Sequence, residues 1–137
     1  MKNTTILITG ASSGIGKATA ELFAKNGARL ILCGRRQERL DQLKDSLNTE
    51  VHLLNFDVRD RTAVFEAIES LPSQWKQIDV LINNAGNAHG LDPVQTADLD
   101  DWDAMIDGNV KGVMYVTKAI LPQMIERKAG QIINLGS

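Results

Sequence analysis

Thr9-Gly10-Ala11-Ser12-Ser13-Gly14-Ile15-Gly16 is the stretch on which the fold turns. It closes a β-rich apolar run, residues 5–9 (TILIT), and opens a segment, residues 15–25, whose apolar side chains recur at i, i+3, i+4 and i+7. The octapeptide therefore joins a strand to a helix. Its glycines permit a sharp turn and close backbone approach, and the free amides of a helix start attract a phosphate. The spacing is GxxxGxG, not the GxGxxG of the common dinucleotide fingerprint, although both place glycines at the same turn. A glycine-rich connection with no ligand is the plainer alternative.

Working outward, the same alternation of periods repeats along the chain. Strand-like runs follow at residues 29–33, 51–56, 79–82 and 131–135, and helical spacing at 37–47, 61–71 and 99 to about 128. Near-continuous apolar strands imply burial on both faces. Strand-helix-strand order calls for right-handed crossovers over a parallel sheet. The sequence thus predicts a doubly wound α/β domain of the Rossmann type, with five strands across residues 1–137. The last predicted helix is not uniform: Gly108 and Gly112 flank Asn109, and Pro122 falls near its end, so a kink or break is expected at one of these. At its start, Asp98, Asp100, Asp101 and Asp103 stand where carboxylates cap amides and oppose the helix dipole; capping explains the cluster without a metal.

Composition excludes several classes. The chain has 137 residues, 43% apolar and 23% charged, with three prolines, as in an ordinary folded protein and not a disordered one. Fifteen basic against seventeen acidic side chains leave a net charge of −2, so nucleic acid and anionic membranes meet no strong attracting field. A single cysteine, Cys33, forms no internal disulfide, no apolar run approaches a membrane span, and the N-terminus lacks a signal-peptide core. The expected location is the cytoplasm.

The remaining chemical signals fall at strand ends. After the second strand, Gly34 is followed by Arg35 and Arg36, with no acid before Glu38. An acid near this position suits a plain ribose 2′-hydroxyl, whereas arginine suits a 2′-phosphate. Arginines at a helix start also oppose its dipole unless an anion compensates. This favours NADP over NAD, with a solvated basic helix start as the alternative. Asp57 and Val58 follow the third strand, and Asn83-Asn84-Ala85-Gly86 follows the fourth. Ligands of open parallel sheets lie at the carboxyl ends of strands, so four such tips point to one cleft.

These residues resemble the short-chain dehydrogenases/reductases. The matching pieces are TGASSGIG (9–16), Asp57-Val58, NNAG (83–86), Asn109-Val110 and IINLGS (132–137), spread over the whole chain. Within the family, GRRQERL (34–40) and MIDGNVKG (105–112) look most like the bacterial NADP-dependent 3-hydroxy acid (serine-type) dehydrogenases. The resemblance implies that Gly10, Ala11, Ser12, Ser13, Gly14, Ile15 and Gly16 line the pyrophosphate and adenosine ribose. It implies that Arg35 and Arg36 hold the 2′-phosphate, that Asp57 and Val58 meet the adenine, and that Asn84, Ala85 and Gly86 support the nicotinamide side. Asn109 would belong to a proton relay, and Ser137 would hydrogen-bond the substrate oxygen. The implied chemistry is hydride transfer between the nicotinamide and a carbonyl or alcohol carbon of a small substrate. The implied assembly is a dimer or tetramer, though the stripe Val113, Val116, Ile120 and Met124 is explained equally by burial against its own sheet.

One family feature is missing. The general acid/base tyrosine, and the lysine four residues after it, follow the serine by roughly a dozen positions in the family, and the sequence stops at Ser137. Tyr115 is followed at that interval by Ala119 and does not supply the motif. An apolar fifth strand with no crossover helix after it is a second sign. The 137 residues are therefore expected to be the N-terminal part of a longer enzyme. The competing expectation is a cofactor-binding module without turnover; a sugar-nucleotide epimerase or dehydratase ranks last. His52 reads as structural, His89 as a possible border of a substrate pocket, and Trp75 and Trp102 as packing anchors.

Overall fold

The computed structural model describes residues 1–86 and 90–136. Five parallel strands form one sheet in the order β3-β2-β1-β4-β5: β1 (Thr5–Ile8), β2 (Arg29–Gly34), β3 (Val51–Asn55), β4 (Val80–Asn83) and β5 (Gln131–Asn134). The register runs Leu7 to Ile31 and Leu81, Leu32 to Leu53, and Ile82 to Ile133. The chain begins in the middle of the sheet, winds to one edge and then returns past β1 to the other. That reversal, between β1 and β4, opens a crevice beyond the strand ends.

The sheet separates two cores because side chains alternate across it. Ile6, Ile8, Leu30 and Leu32 face α1 (Gly14–Lys25) and α2 (Gln37–Ser46), where Ala20, Ala24, Leu40 and Leu43 close the layer. Leu7, Ile31, Cys33 and Leu81 face the opposite way, against Val64 of α3 (Arg61–Glu69) and Val116, Ile120 and Met124 of α5 (Gly112–Arg127). Each fully buried side chain of this kind stabilises by roughly 1.5–3 kcal/mol. The β1 and β2 residues with both neighbours present are wholly buried, as doubly covered parallel strands must be.

The predicted long helix is divided. α4 (Leu99–Ile106) passes into a π-helical turn, Asp107–Lys111, before α5 begins. The break falls on the Gly108-Asn109 step and not on Pro122, which is carried inside α5 on its exposed side, where water can satisfy the carbonyl it frees. Of the expected apolar stripe, Val116, Ile120 and Met124 are buried in the chain's own core. Trp75, in the short 3-10 turn Ser73–Trp75, is a buried anchor beneath the Arg29 guanidinium, 4.1 Å from the ring centroid, and His52 lies beside it at 5.6 Å. Trp102 departs from expectation: it is 36% exposed, because α4 buries no residue fully. No helix among the described residues is long and apolar enough to cross a membrane.

Candidate functional site

The loop after β1 is fixed by backbone bonds on both sides. Thr9 N–H donates to the Ile82 carbonyl (3.1 Å) and Ala11 N–H to the Cys33 carbonyl (3.0 Å). Gly10 turns in the left-handed region, φ 61°, where a side chain would be strained and would also stand 2.9 Å from Ala85 Cα. Gly16, buried in the first turn of α1, packs so tightly that a Cβ would collide with the Gly10 carbonyl oxygen and Asn84 Nδ2. Ser13 is the N-cap of α1 but makes no side-chain cap bond, and no acid occupies the first turn. The first-turn amides of α1 therefore lack a side-chain cap and carry the positive end of the helix dipole toward the crevice.

The tip of β4 is latched to this loop. Asn84 Nδ2 donates to the carbonyls of Thr9 (3.1 Å) and Gly10 (3.0 Å). The buried Thr9 hydroxyl accepts the backbone N–H groups of Asn84 (3.0 Å) and Ala85 (2.9 Å). One residue earlier, buried Asn83 donates through Nδ2 to Thr117 Oγ1 (3.0 Å) and Asn134 Oδ1 (2.9 Å), tying α5 and β5 to the same tip. Thr9 and Asn83 are thus positioning residues that the sequence motifs contain but that the sequence reading leaves without a role. Their work depends on which strands lie side by side.

At the second and third strand tips the site becomes charged. Arg35 and Arg36 are exposed at the start of α2, whose N-cap, Arg36, makes no side-chain cap bond. Asp57 is half-buried and gripped by Arg59, with Arg59 Nη2 2.7 Å from Asp57 Oδ2. Burial alone would push the Asp57 carboxyl up, but the hydrogen bonds from the Arg59 side chain and backbone, with the charges of Arg59 and Arg35, outweigh it and hold the carboxyl below its ordinary value. Asp57 is ionised at neutral pH.

Across the crevice stands the π-helical turn. Asn109 lies at its centre and presses against Gly86, where an added Cβ would collide with Asn109 Oδ1. Leu135, after β5, is held by its N–H to the Asn83 carbonyl (3.1 Å).

All these tips line one cavity of about 530 Å³. It gathers Gly10, Ser12, Ser13, Gly14, Ile15, Arg35, Arg36, Asp57, Val58, Asn84, Ala85, Gly86 and Asn109 from the sequence expectation. Ala11 and Gly16 stand behind the wall, where they shape the loop. Ser137 and His89 lie outside the described residues. The cavity adds Cys33, Gly34, Phe56, Arg59, Met105, Gly108, Leu135 and Gly136. Cys33 is a neutral wall residue, since burial pushes its thiol far up. The side chain of Tyr115 is placed elsewhere, 5.4 Å from the Arg61 guanidinium. Among the described residues no cluster of histidine, cysteine or carboxylates could hold a metal ion, and Asp98 acts as a cap, accepting the Asp100 N–H at 2.8 Å.

The site fits a phosphorylated dinucleotide on its own features: an uncapped glycine-rich helix start, two arginines facing one rim, and a crevice at the reversal of strand order.

Comparison with known proteins gives a consistent result. The family model described as short chain dehydrogenase matches residues 4–137. An NADP-dependent 3-hydroxy acid dehydrogenase of Salmonella typhi is 52% identical over 132 residues, covering 96% of this chain and 53% of the relative. The crystal structure of serine dehydrogenase from Escherichia coli superposes with a TM-score of 0.95 at 47% identity, covering 98% of this chain and 62% of that one. A closed form of serine dehydrogenase complexed with NADP+ gives the same score and identity over 98% of this chain and 54% of its own. The chain spans about half the length of the curated relatives it matches.

Proposed function

Because the chain belongs to the short-chain dehydrogenase family, we propose that residues 1–137 form the cofactor-binding part of an NADP-dependent oxidoreductase acting on a carbonyl or alcohol of a small substrate, with a 3-hydroxy acid as the first candidate. The observation that carries this reading is the convergence of the uncapped α1 start and the Arg35-Arg36 pair on one cavity. It is supported by the names of the relatives, which are NADP-dependent 3-hydroxy acid dehydrogenases.

In this reading the amides at the start of α1 take the pyrophosphate, and Gly10 and Gly16 let the backbone approach it. Arg35 and Arg36 hold the 2′-phosphate through charge-assisted hydrogen bonds. Asp57 and Val58 border the adenine. Asn84 keeps the β1 and β4 tips at fixed separation beneath the nicotinamide ribose, while Asn109 and Ser137 serve the proton path and the substrate oxygen. When bound, the nicotinamide supplies or accepts the hydride. Tyr115 is not at the cavity, so among the described residues no tyrosine takes the part of the family's proton donor. Exposed Ile106 at the end of α4, Val110 in the π-helical turn and Met114 in α5 support a dimer or tetramer.

The test is the double variant Arg35→Ala/Arg36→Ala. Loss of charge-assisted contacts worth about 1.5–3 kcal/mol each predicts at least a thirtyfold weaker NADPH complex with NADH changed less than threefold. Equal weakening of both cofactors would refute the 2′-phosphate assignment.

A further inference from the structure

Arg59 stands on the cavity rim without a part in the reading above, on which the present inference rests. Its side chain grips Asp57 completely: Nε donates to Oδ1 and Oδ2, both at 3.1 Å, Nη2 donates to Oδ2 at 2.7 Å, and the Arg59 backbone N–H adds a bond to Oδ1 at 2.9 Å. Arg35 approaches the same carboxylate but stays at 4.0 Å, Nη1 to Oδ2. Asp57 therefore has two guanidinium groups within 4.0 Å and is committed to one of them.

The commitment matters because Asp57 is a permanent anion at the edge of a site meant for another anion. Held below its ordinary value, its carboxyl does not neutralise at physiological pH. Left alone, it would draw Arg35 in, since a guanidinium 4.0 Å from a carboxylate needs only a side-chain rotation to pair with it. Arg35 would then be withdrawn from a 2′-phosphate, and the remaining negative charge would repel that phosphate. We infer that Arg59 determines cofactor specificity by occupying the Asp57 carboxylate, which leaves Arg35 free for a phosphate on the adenosine ribose and screens that phosphate from Asp57. Arg59 is a positioning residue in this scheme. It acts on the phosphate through Asp57 and Arg35 and does not touch it.

The experiment measures calorimetric dissociation constants of the full chain for 2′,5′-ADP and for 5′-AMP, two probes that differ by the 2′-phosphate. Arg59 is 36% exposed in its side chain, so its replacement leaves the core intact. Arg59→Gln is expected to weaken 2′,5′-ADP about tenfold and 5′-AMP less than twofold. Adding Asp57→Asn, which removes the anion that needed a partner, is expected to restore most of the ratio between the two probes, whatever it does to adenine binding in common. A ratio that stays low in the double variant would mean that Arg59 grips the phosphate directly and would overturn the inference, as would an Arg59→Gln ratio equal to that of the unsubstituted chain. Failure of the cofactor reading has a different signature: the unsubstituted chain would show no preference for 2′,5′-ADP, and Arg35→Ala/Arg36→Ala would change nothing.

Discussion

Of the five α-helices, α5 continues directly from the π-helical turn, and the other four starts divide into two pairs. α3 and α4 are closed by their own carboxylates: Asp60 accepts the Ala63 N–H and Asp98 accepts the Asp100 N–H. α1 and α2 have no side-chain cap, and theirs are the two starts that border the cavity. A carboxylate cap contributes about 0.5–2 kcal/mol to a helix, so two helices forgo a stabilisation that their neighbours have. The difference follows function: where an anion is to bind, a built-in carboxylate would occupy the amides and repel the ligand. The same logic extends to Asp57, an acid at the cavity rim whose charge is taken up by Arg59.

The largest effect tests the close packing behind the uncapped α1 start. Gly16→Ala places a methyl group on the Gly10 carbonyl oxygen and Asn84 Nδ2, so the loop must move. The expected result is about 1–3 kcal/mol lost in chemical denaturation and about a hundredfold weaker binding of NADPH and NADH alike. Unchanged binding would mean that the loop does not hold the pyrophosphate.

Ser13→Asp turns an uncapped start into a capped one. Thermal melting should show a gain of about 0.5–1 kcal/mol from the cap and dipole, while both cofactors bind about tenfold more weakly. A variant more stable with undiminished affinity would break the link between missing caps and anion binding. The reverse change, Asp98→Ala, should cost about 0.5–1 kcal/mol at the start of α4 and leave both dissociation constants within twofold, as read by melting and titration.

The smallest effect is on pH. The folded-state carboxyl of Asp57 lies below the unfolded value of about 3.9, so its contribution to stability is present above that value and is lost as pH falls through the depressed folded one. Melts between about pH 2 and 5 should show this loss in the unsubstituted chain, and Arg59→Gln should reduce it. An unaltered acid limb would show that Arg59 does not hold the carboxyl down.

Much of this architecture was legible in the sequence because its cause is local. Parallel strands covered on both faces must be apolar without interruption, and residues 29–33 and 79–82 announce β2 and β4 to within one residue at either end. The strand tips were legible too, since Gly10 to Gly16 and Asn84 to Gly86 carry their chemistry in residue type. What escaped depends on juxtaposition. Thr9 and Asn83 act only because β1, β4 and β5 are neighbours in register. The π-helical turn places Asn109 against Gly86, yet the sequence marks only that a break falls near Gly108, Gly112 or Pro122. Arg59 carries no signal in residue type, and its part emerges only where the loop after β3 folds it back, two residues, onto Asp57.

Direct calorimetric titration of the full chain with NADPH and with NADH tests the central claim, that the uncapped helix starts and their arginines form a site for a 2′-phosphorylated dinucleotide. The account predicts that NADPH binds at least tenfold more tightly and that the difference shrinks as salt is raised. Equal affinities, or tighter binding of NADH, would contradict it.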